Sequence, residues 1–321
     1  MASVTFVNPF FEFWESIYIF LALVFFHNKS ITLYYRITQA DCQGFIGKKA
    51  DFCKDFRSKG EKTMRIHMLG VGIDNVTRDQ ALHAVERRIA SQQPTVIYTP
   101  NPIMIHQATK DDLFRRTLNR AALNLPDGIG LLLAARLMGL PLTERVAGIE
   151  FGQELLALAA RKNLRVFLLG ATPGTAEQAA RNLQKQMPKL TICGTYHGYF
   201  KQTESPEICR KIENARTDIL LVCLGSPAQE IWIDTHHPKG VLVSVALGGS
   251  LDVWAGRIMR APRLLSDLGL EWLWRMIREP HRLAKLPAIL EFLLAARQAK
   301  EKRLPVFKRE AVKSQKSTSL P

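Results

Sequence analysis

Five short stretches place chemistry-bearing residues directly after apolar runs. They are "TPNP" with Thr99 and Asn101, "PDGIG" with Asp127, "GATPGT" (170–175), "GSPAQE" with Gln229 and Glu230, and "GGSLD" with Asp252. A carboxylate at the end of an apolar strand, ahead of Gly128 and Gly130, can take a proton from an attacking hydroxyl. Asp is also a strong helix N-cap, so spacing alone leaves both roles open for Asp127. "GATPGT" sets glycines between a strand and a helix, where backbone N–H groups favour phosphate. A plain tight turn would read the same way, and the stretch is neither a P-loop nor G-x-G-x-x-G. Gln229 can donate to a sugar or phosphate oxygen, while Glu230 is expected at the surface or as a charge at a helix N-terminus. His197, in "GTYHGYF", reads as a structural histidine. No H-x-x-H, D-x-D or Cys/His cluster is present, so neither a metal nor a cofactor is expected. A diphosphate handled without D-x-D needs arginines or helix termini to neutralise it.

These stretches must be positioned by something regular, and from Met64 onward the chain supplies it. "IHMLGVGI" reads as a strand or short hairpin, and Thr77 opens a helix over "TRDQALHAVERRIAS". "TVIYTPNP", "AALNLPDG", "RVFLLGATPG", "LTICGTYHGYF", "DILLVCLGSPAQE" and "VLVSVALGGSLD" carry the strand signals, with "IMIHQATKDDLFRRTLNR" and other helical stretches between them. Continuous apolar strands alternating with helices predict an α/β fold, a Rossmann-like, mostly parallel sheet flanked by helices. Ligands then sit outside the carboxyl ends of the strands, so the five stretches are expected to meet at one cleft. Strand signals stop near Gly249. The spacing predicts an α/β catalytic domain over 64–256 and a basic, amphipathic helical appendage over 257–300, punctuated by Pro262, Pro280 and Pro287. A disordered basic tail is expected over 301–321.

Composition narrows the class. The 321 residues are 47% hydrophobic, enough for a substantial core. Net charge is +15, and Leu251–Pro321 alone carries 15 Lys and Arg against 7 Asp and Glu. A mildly basic body with a strongly basic end points to anionic partners and away from a nucleic-acid binder coated in charge. The stretch 260–286 sets five arginines and a lysine among leucines and tryptophans, a composition suited to something both apolar and negative. Cys42, Cys53, Cys193, Cys209 and Cys223 show no C-x-x-C spacing, which fits a reducing, cytoplasmic compartment. Near the start, "SIYIFLALVFF" (16–26) is apolar, but Glu12 and Glu15 beside it weaken a membrane span. Residues 1–63 are expected to be an extension outside the domain, from an early start codon, with a membrane anchor as the alternative.

Taken in order, "TPNP", "PDGIG", "RVAG", "VFLLGATPGTAEQAA", "GTYHGYF", "LGSPAQEIW", "GGSLDVWAG", "RAP" and "LEWLWRMIREPHR" resemble the WecG/TagA/CpsF glycosyltransferases over roughly Met64 to Lys285. The resemblance implies an inverting transfer of an N-acetylmannosamine-type sugar, N-acetylmannosamine or its uronic acid. The donor would be a UDP-sugar and the acceptor a polyprenyl-diphosphate-linked N-acetylglucosamine, in cell-surface polysaccharide biosynthesis. It also implies a peripheral enzyme at the cytoplasmic face of the membrane, with no required metal. Asp127 matches the family's proposed catalytic base, and Thr99, Asn101, Arg145 and Gln229 match its substrate pocket. Arg275, Arg282 and Lys285 match basic positions of an appendage that closes over the site on an anionic membrane surface. Asp252 is a further candidate, for uracil or ribose, with helix capping as its alternative. Two residues depart from the pattern. Ala228 stands where Lys or Arg is frequent, and Lys285 stands where Arg is frequent and so lacks the bidentate fork.

Two other classes remain to be weighed. A nicotinamide oxidoreductase would share the sheet but should show G-x-G-x-x-G in its first strand-to-helix turn and an acid further on, and neither is in place. A non-catalytic lipid- or nucleotide-binding protein would account for the charge but not for five polar strand-end turns.

Overall fold

The first apolar run forms a hairpin. β1 (Met64–Met68) and β2 (Val71–Asn75) pair antiparallel, with Met68 opposite Val71. That register leaves only Leu69 and Gly70 in the turn, and both take positive φ, 48° and 88°, as a type I′ turn requires. The computed structural model describes residues 64–262, 274, 276 and 278–299. The expectations for 1–63, Arg275 and 301–321, and for the side chain of Arg282, lie outside the described residues.

Helix α1 (Arg78–Ala90) starts where its cap residue dictates. The Thr77 side chain accepts from Gln80 N–H at 3.2 Å, and Thr77 N–H donates back to Gln80 Oε1 at 2.9 Å. This reciprocal pair satisfies two backbone donors that a helix start otherwise leaves open. The main sheet then begins with β3 (Thr95–Tyr98), followed by α2 (Pro102–Lys110), α3 (Asp112–Arg120) and β4 (Leu123–Asn124). Next come α4 (Ile129–Met138), α5 (Gly148–Lys162), β5 (Arg165–Gly170), α6 (Thr175–Gln186) and β6 (Thr191–Tyr196). The chain continues through α7 (Ser205–Asn214), β7 (Ile219–Cys223), α8 (Ala228–His236), β8 (Val243–Ala246) and α9 (Ser250–Trp254).

The six strands lie in the order β4-β3-β8-β7-β5-β6, and every pairing is parallel. The Rossmann-like α/β expectation is met. The central strands β7 and β8 are buried at every residue, as strands covered on both faces must be. Alternation splits β7 between two layers. Ile219, Leu221 and Cys223 join a cluster with Leu155, Ala176 and Leu183, whereas Leu220 and Val222 lie outside that cluster. Burial pushes the Cys223 thiol up to about 12, which fits a core cysteine. At the β4 edge the hairpin closes the sheet. Asp74 accepts from Asn124 N–H at 2.7 Å and pairs with Arg65, whose guanidinium also donates to the Ala121 and Ala122 carbonyls. An exposed strand edge invites stray pairing, and this ion pair covers it.

Three local expectations differ from the structure. The stretch read as one helix over 103–120 is two, because Asp111 ends α2 and its side chain caps α3 through Phe114 N–H at 3.0 Å. The strand over "AALNLPDG" shrinks to two residues, since Asn124 turns inward to bond the Gly72 and Leu118 carbonyls. The segment 257–300 is not helical throughout. Residues 257–262 are irregular, Pro280–Lys285 forms a 3-10 turn, and 286–299 is helical.

That last helix, α10 (286–299), packs on the body. Leu286, Phe292, Leu293 and Ala296 are buried. The Glu291 carboxylate meets Lys110 Nζ at 3.2 Å and His106 Nε2 at 3.1 Å, both on α2. Over this helix the apolar face is a core face. No described helix is long and apolar enough to cross a membrane.

Candidate active site

Because all six strands run the same way, the turns after them open on one edge of the sheet. The chain leaves β5 outward to β6 and leaves β7 inward to β8, so the direction reverses between β5 and β7. Such a reversal opens a crevice at the carboxyl edge. The site therefore has two ends, one at β3 and β4, the other at β5, β7 and β8.

At the first end Asp127 is half-buried. It does not cap its own helix, since Gly128 is the N-cap of α4 and no side-chain cap bond forms there. Its Oδ2 instead accepts from Gly148 N–H, the first residue of α5, at 3.3 Å. The loop holding it is pinned by backbone, Asp127 N–H to Pro100 O at 3.0 Å and Val146 N–H to Pro126 O at 2.8 Å. The second bond puts Arg145, half-buried and adjacent to Val146, in the same group. Thr99 is buried, donates to Ala246 O at 3.3 Å and packs against Gly148. A side chain at Gly130 would strike Pro102 at 2.6 Å, so the starts of α4 and α2 nearly touch. The N-termini of α2, α4 and α5 thus gather around Asp127, and their partial positive charges favour an anion there. Asn101 spends its Oδ1 capping α2, accepting from Ile103 N–H at 3.0 Å and Met104 N–H at 3.1 Å. Only its amide nitrogen is left to face a ligand.

At the other end the turns are locked backbone to backbone. Ala171 N–H donates to Cys223 O at 3.0 Å, and Gly198 N–H donates to Ala171 O at 2.8 Å. Gly170 sits at φ +136°, and a Cβ there would lie 2.2 Å from the Cys223 carbonyl oxygen. Only glycine permits that approach. Ala171 itself holds φ 58°, a conformation that costs a non-glycine residue free energy and clusters at functional turns. Past this turn, Thr172 and Thr175 share a hydroxyl bond of 2.7 Å at the start of α6, and the Arg257 guanidinium donates to Thr172 Oγ1. Asp252 lies in the first turn of α9 rather than at its N-cap, which is Gly249. Partial burial raises the Asp252 carboxyl above its ordinary value; Arg257 nearby opposes the shift and Glu279 adds to it.

Gln229 and Glu230 are both buried, the latter completely. Gln229 Nε2 donates to Glu230 Oε1 at 2.7 Å, and Gln229 Oε1 accepts from Gly248 N–H at 3.0 Å. Of the two expectations for Glu230, the surface position is overturned and the charge at a helix N-terminus is met. The residue does stand in the first turn of α8, but Tyr98, donating to its backbone oxygen at 3.0 Å, and the turn after β8 close over it.

The structure brings Thr99, Asp127 and Arg145 together, and Gln229 and Asp252 onto neighbouring turns. Lys285 is exposed in the 3-10 turn. Arg278 folds back within its own segment, over the Trp274 ring at 5.2 Å and toward Met259 Sδ at 3.6 Å. Sequence reasoning missed Arg257 and Arg260. Arg260 pairs with Glu150, which Arg78 also contacts at 3.0 Å, and so ties the start of the C-terminal segment to α5. Arg257 lies outside the quoted motifs, and Arg260 opens "RAP" without its pairing being legible there. His197 stacks on Tyr196 at 4.7 Å, in line with a structural role. Among the described residues no group of three His, Cys, Asp or Glu side chains could hold a metal ion.

A parallel sheet with a carboxylate among helix N-termini at one end, and glycine-lined turns at the other, suits the broad class of group-transfer enzymes. The comparisons narrow that class to glycosyltransferases. Residues 66–305 match the glycosyl transferase WecG/TagA/CpsF family, and the chain belongs to that family. Among similar curated proteins is an N-acetylglucosaminyldiphosphoundecaprenol N-acetyl-beta-D-mannosaminyltransferase of Staphylococcus aureus strain MRSA252. It is 33% identical over 243 residues, covering 75% of this chain and 95% of that protein. Proteins of the same name from strains MW2 and NCTC 8325 / PS 47 are 32% identical over the same spans. The family resemblance expected from the ordered motifs is borne out, and the enzyme is a glycosyltransferase.

Proposed function

We propose that the enzyme transfers an N-acetylmannosamine-type sugar from a UDP donor to a polyprenyl-diphosphate-linked N-acetylglucosamine, with inversion. The observation that carries this reading is Asp127, a half-buried carboxylate ringed by three helix N-termini, in a family whose named relatives act on that acceptor. Asp127 takes the proton of the acceptor hydroxyl as its oxygen bonds to the anomeric carbon. The bond from that carbon to the UDP oxygen breaks on the opposite face, and UDP leaves with the electron pair. Thr99, Arg145 and the Asn101 amide nitrogen hold the sugars near Asp127. The donor nucleotide lies over the turns after β5, β7 and β8. There the start of α6 and Arg257 meet the diphosphate, and Asp252 accepts from uracil or ribose. The departing charge is neutralised by these groups, without a resident metal or other cofactor.

Arg275, Arg278, Arg282 and Lys285 recur at three- and four-residue intervals. They serve the acceptor diphosphate and an anionic bilayer surface, where each basic residue contributes about 1 kcal/mol. The enzyme works as a peripheral protein on the cytoplasmic face, without nucleic-acid partners. The domain division follows from this: 64–256 performs the chemistry and 257–300 meets the membrane. Within that segment α10 anchors to α2, leaving the stretch before it for lipid. The test is transfer to a short-chain lipid-linked N-acetylglucosamine, with UDP-N-acetylmannosamine, its uronic acid and UDP-glucose offered in parallel. An N-acetylmannosamine-type donor should be used at least tenfold better than UDP-glucose. Equal use of all three, or release of UDP without transfer, would overturn the reading.

A further inference from the structure

Glu230 is the most thoroughly buried carboxyl group beside the site, and the reaction as described makes no use of it. It is fully shielded from solvent, and its Oε2 has no hydrogen-bond partner among the described residues. Burying an acid with one oxygen unsatisfied is unfavourable, and a surface position at the start of α8 would have avoided it. What the carboxyl group does touch is informative. Its Oε1 accepts from Gln229 Nε2 at 2.7 Å, and the Ser226 hydroxyl lies beside it. The Gln229 amide is thereby fixed at both ends. Gly248 offers an N–H and can be met only by the amide oxygen, so the amide nitrogen must face an acceptor, and Glu230 supplies it.

We propose that Glu230 is a positioning residue of the donor site: it orients the Gln229 amide, and Gln229 in turn clamps the turn after β8 to the turn after β7. The clamped turn matters because Gly248 and Gly249 lead directly into α9, which carries Asp252 toward Arg257. The turn closes on itself, with Ser250 N–H and Oγ donating to Leu247 O at 3.2 and 2.7 Å, and the Gln229 bond to Gly248 N–H ties it to the start of α8. Burial favours the neutral form of the Glu230 carboxyl group, consistent with an acceptor that need not be ionised.

The proposal rests on reading the β5, β7 and β8 turns as the donor site, and the experiment separates the two. The full chain is titrated with UDP by calorimetry and assayed with UDP-N-acetylmannosamine, comparing wild type with Glu230→Met and Glu230→Gln. Glu230→Met keeps the shape and removes the acceptor. It should raise the UDP Kd and the donor KM about tenfold while kcat changes by less than about threefold, the scale of one oriented hydrogen bond. Glu230→Gln, which keeps an acceptor oxygen, should bring KM back to within about threefold of wild type. In a Gln229→Met background, Glu230→Met should add nothing further, because the two act in series. If Glu230→Met is insoluble, Gln229→Met alone gives the readout, and a wild-type donor KM there overturns the clamp. An unchanged KM in Glu230→Met also overturns it, as does a Glu230→Gln variant no better than Glu230→Met. Wild-type protein that fails to bind UDP at all would mark the donor-site reading itself as wrong.

Discussion

At the β4 end of the cleft Asp127 is half-buried, and one 3.3 Å bond to Gly148 N–H engages its Oδ2. At the β7 and β8 end Gln229 and Glu230 are buried, and the amide is held on both sides by bonds of 2.7 and 3.0 Å. The backbone follows the same division. The turns after β5, β6 and β7 bond directly to one another, and Gly170 is pressed against Cys223 too closely for any Cβ. Around Asp127 the N-termini of α2, α4 and α5 gather, and they supply positive potential to the carboxylate. A group that must accept a proton has to be reachable by substrate, and Asp127 is half-buried rather than buried, whereas a surface that holds a nucleotide gains from being fixed beforehand. Under the proposed function, the contrast puts chemistry at one end and binding at the other.

The sharpest way to break that assignment is at Asp127. Asp127→Asn keeps the shape and removes the base, so turnover should fall roughly 10²- to 10⁴-fold, the usual worth of general-base catalysis. Steady-state transfer checks this, and near-normal turnover would make Asp127 a structural partner of Gly148 only.

The next effect concerns what buttresses the Asp127 end. Helix α10 packs against α2, and Asn101 caps α2 at the site. Phe292, next to Glu291 on α10, is fully buried. Phe292→Ala should lower stability by about 3–5 kcal/mol, as large-to-small core changes do. A urea titration reads it, and a change under about 1 kcal/mol would mean that α10 is only loosely attached.

The smallest effect is a pH dependence at the binding end. Burial holds the Glu230 carboxyl group above its ordinary value. Stability from such an acid is complete below the unfolded-state carboxylate value and is lost as pH rises through the folded one. The groups facing it do not reverse this. The Tyr98 hydroxyl, itself shifted upward chiefly by burial, donates to the backbone, and Asp234 beyond it is paired with Arg120. Glu230→Gln is neutral at every pH. Its melting temperature should match wild type near about pH 4 and exceed it increasingly toward alkaline pH. Parallel melting curves across that range would show that the carboxyl group does not titrate with folding.

Much of this architecture is legible in the residues alone. Apolar runs such as "DILLVC" and "VLVSVA" predict buried parallel strands because both of their faces are greasy, and Thr77 predicts a helix start because a cap is a local bond. The candidates Thr99, Asn101 and Asp127 follow from topology, because parallel strands bring the turns after them to one edge, whereas Arg145 follows only from the family resemblance. What the sequence hid is decided by contacts distant along the chain. Asp111 splits one helix into two with a cap that looks, locally, like another surface charge. Glu230 reads equally as a surface residue or a charge at a helix start, because the contact that covers it comes from Tyr98, far away along the chain. Arg257 lies outside any motif and Arg260 opens "RAP", but only the fold brings them to Thr172 and Glu150.

The division between the two ends is tested most directly by measuring UDP affinity calorimetrically in Asp127→Asn and Glu230→Met side by side. Separate ends predict that Asp127→Asn binds UDP as wild type does, within about twofold, while Glu230→Met binds it about tenfold more weakly. A loss of UDP affinity in Asp127→Asn with none in Glu230→Met would contradict the account.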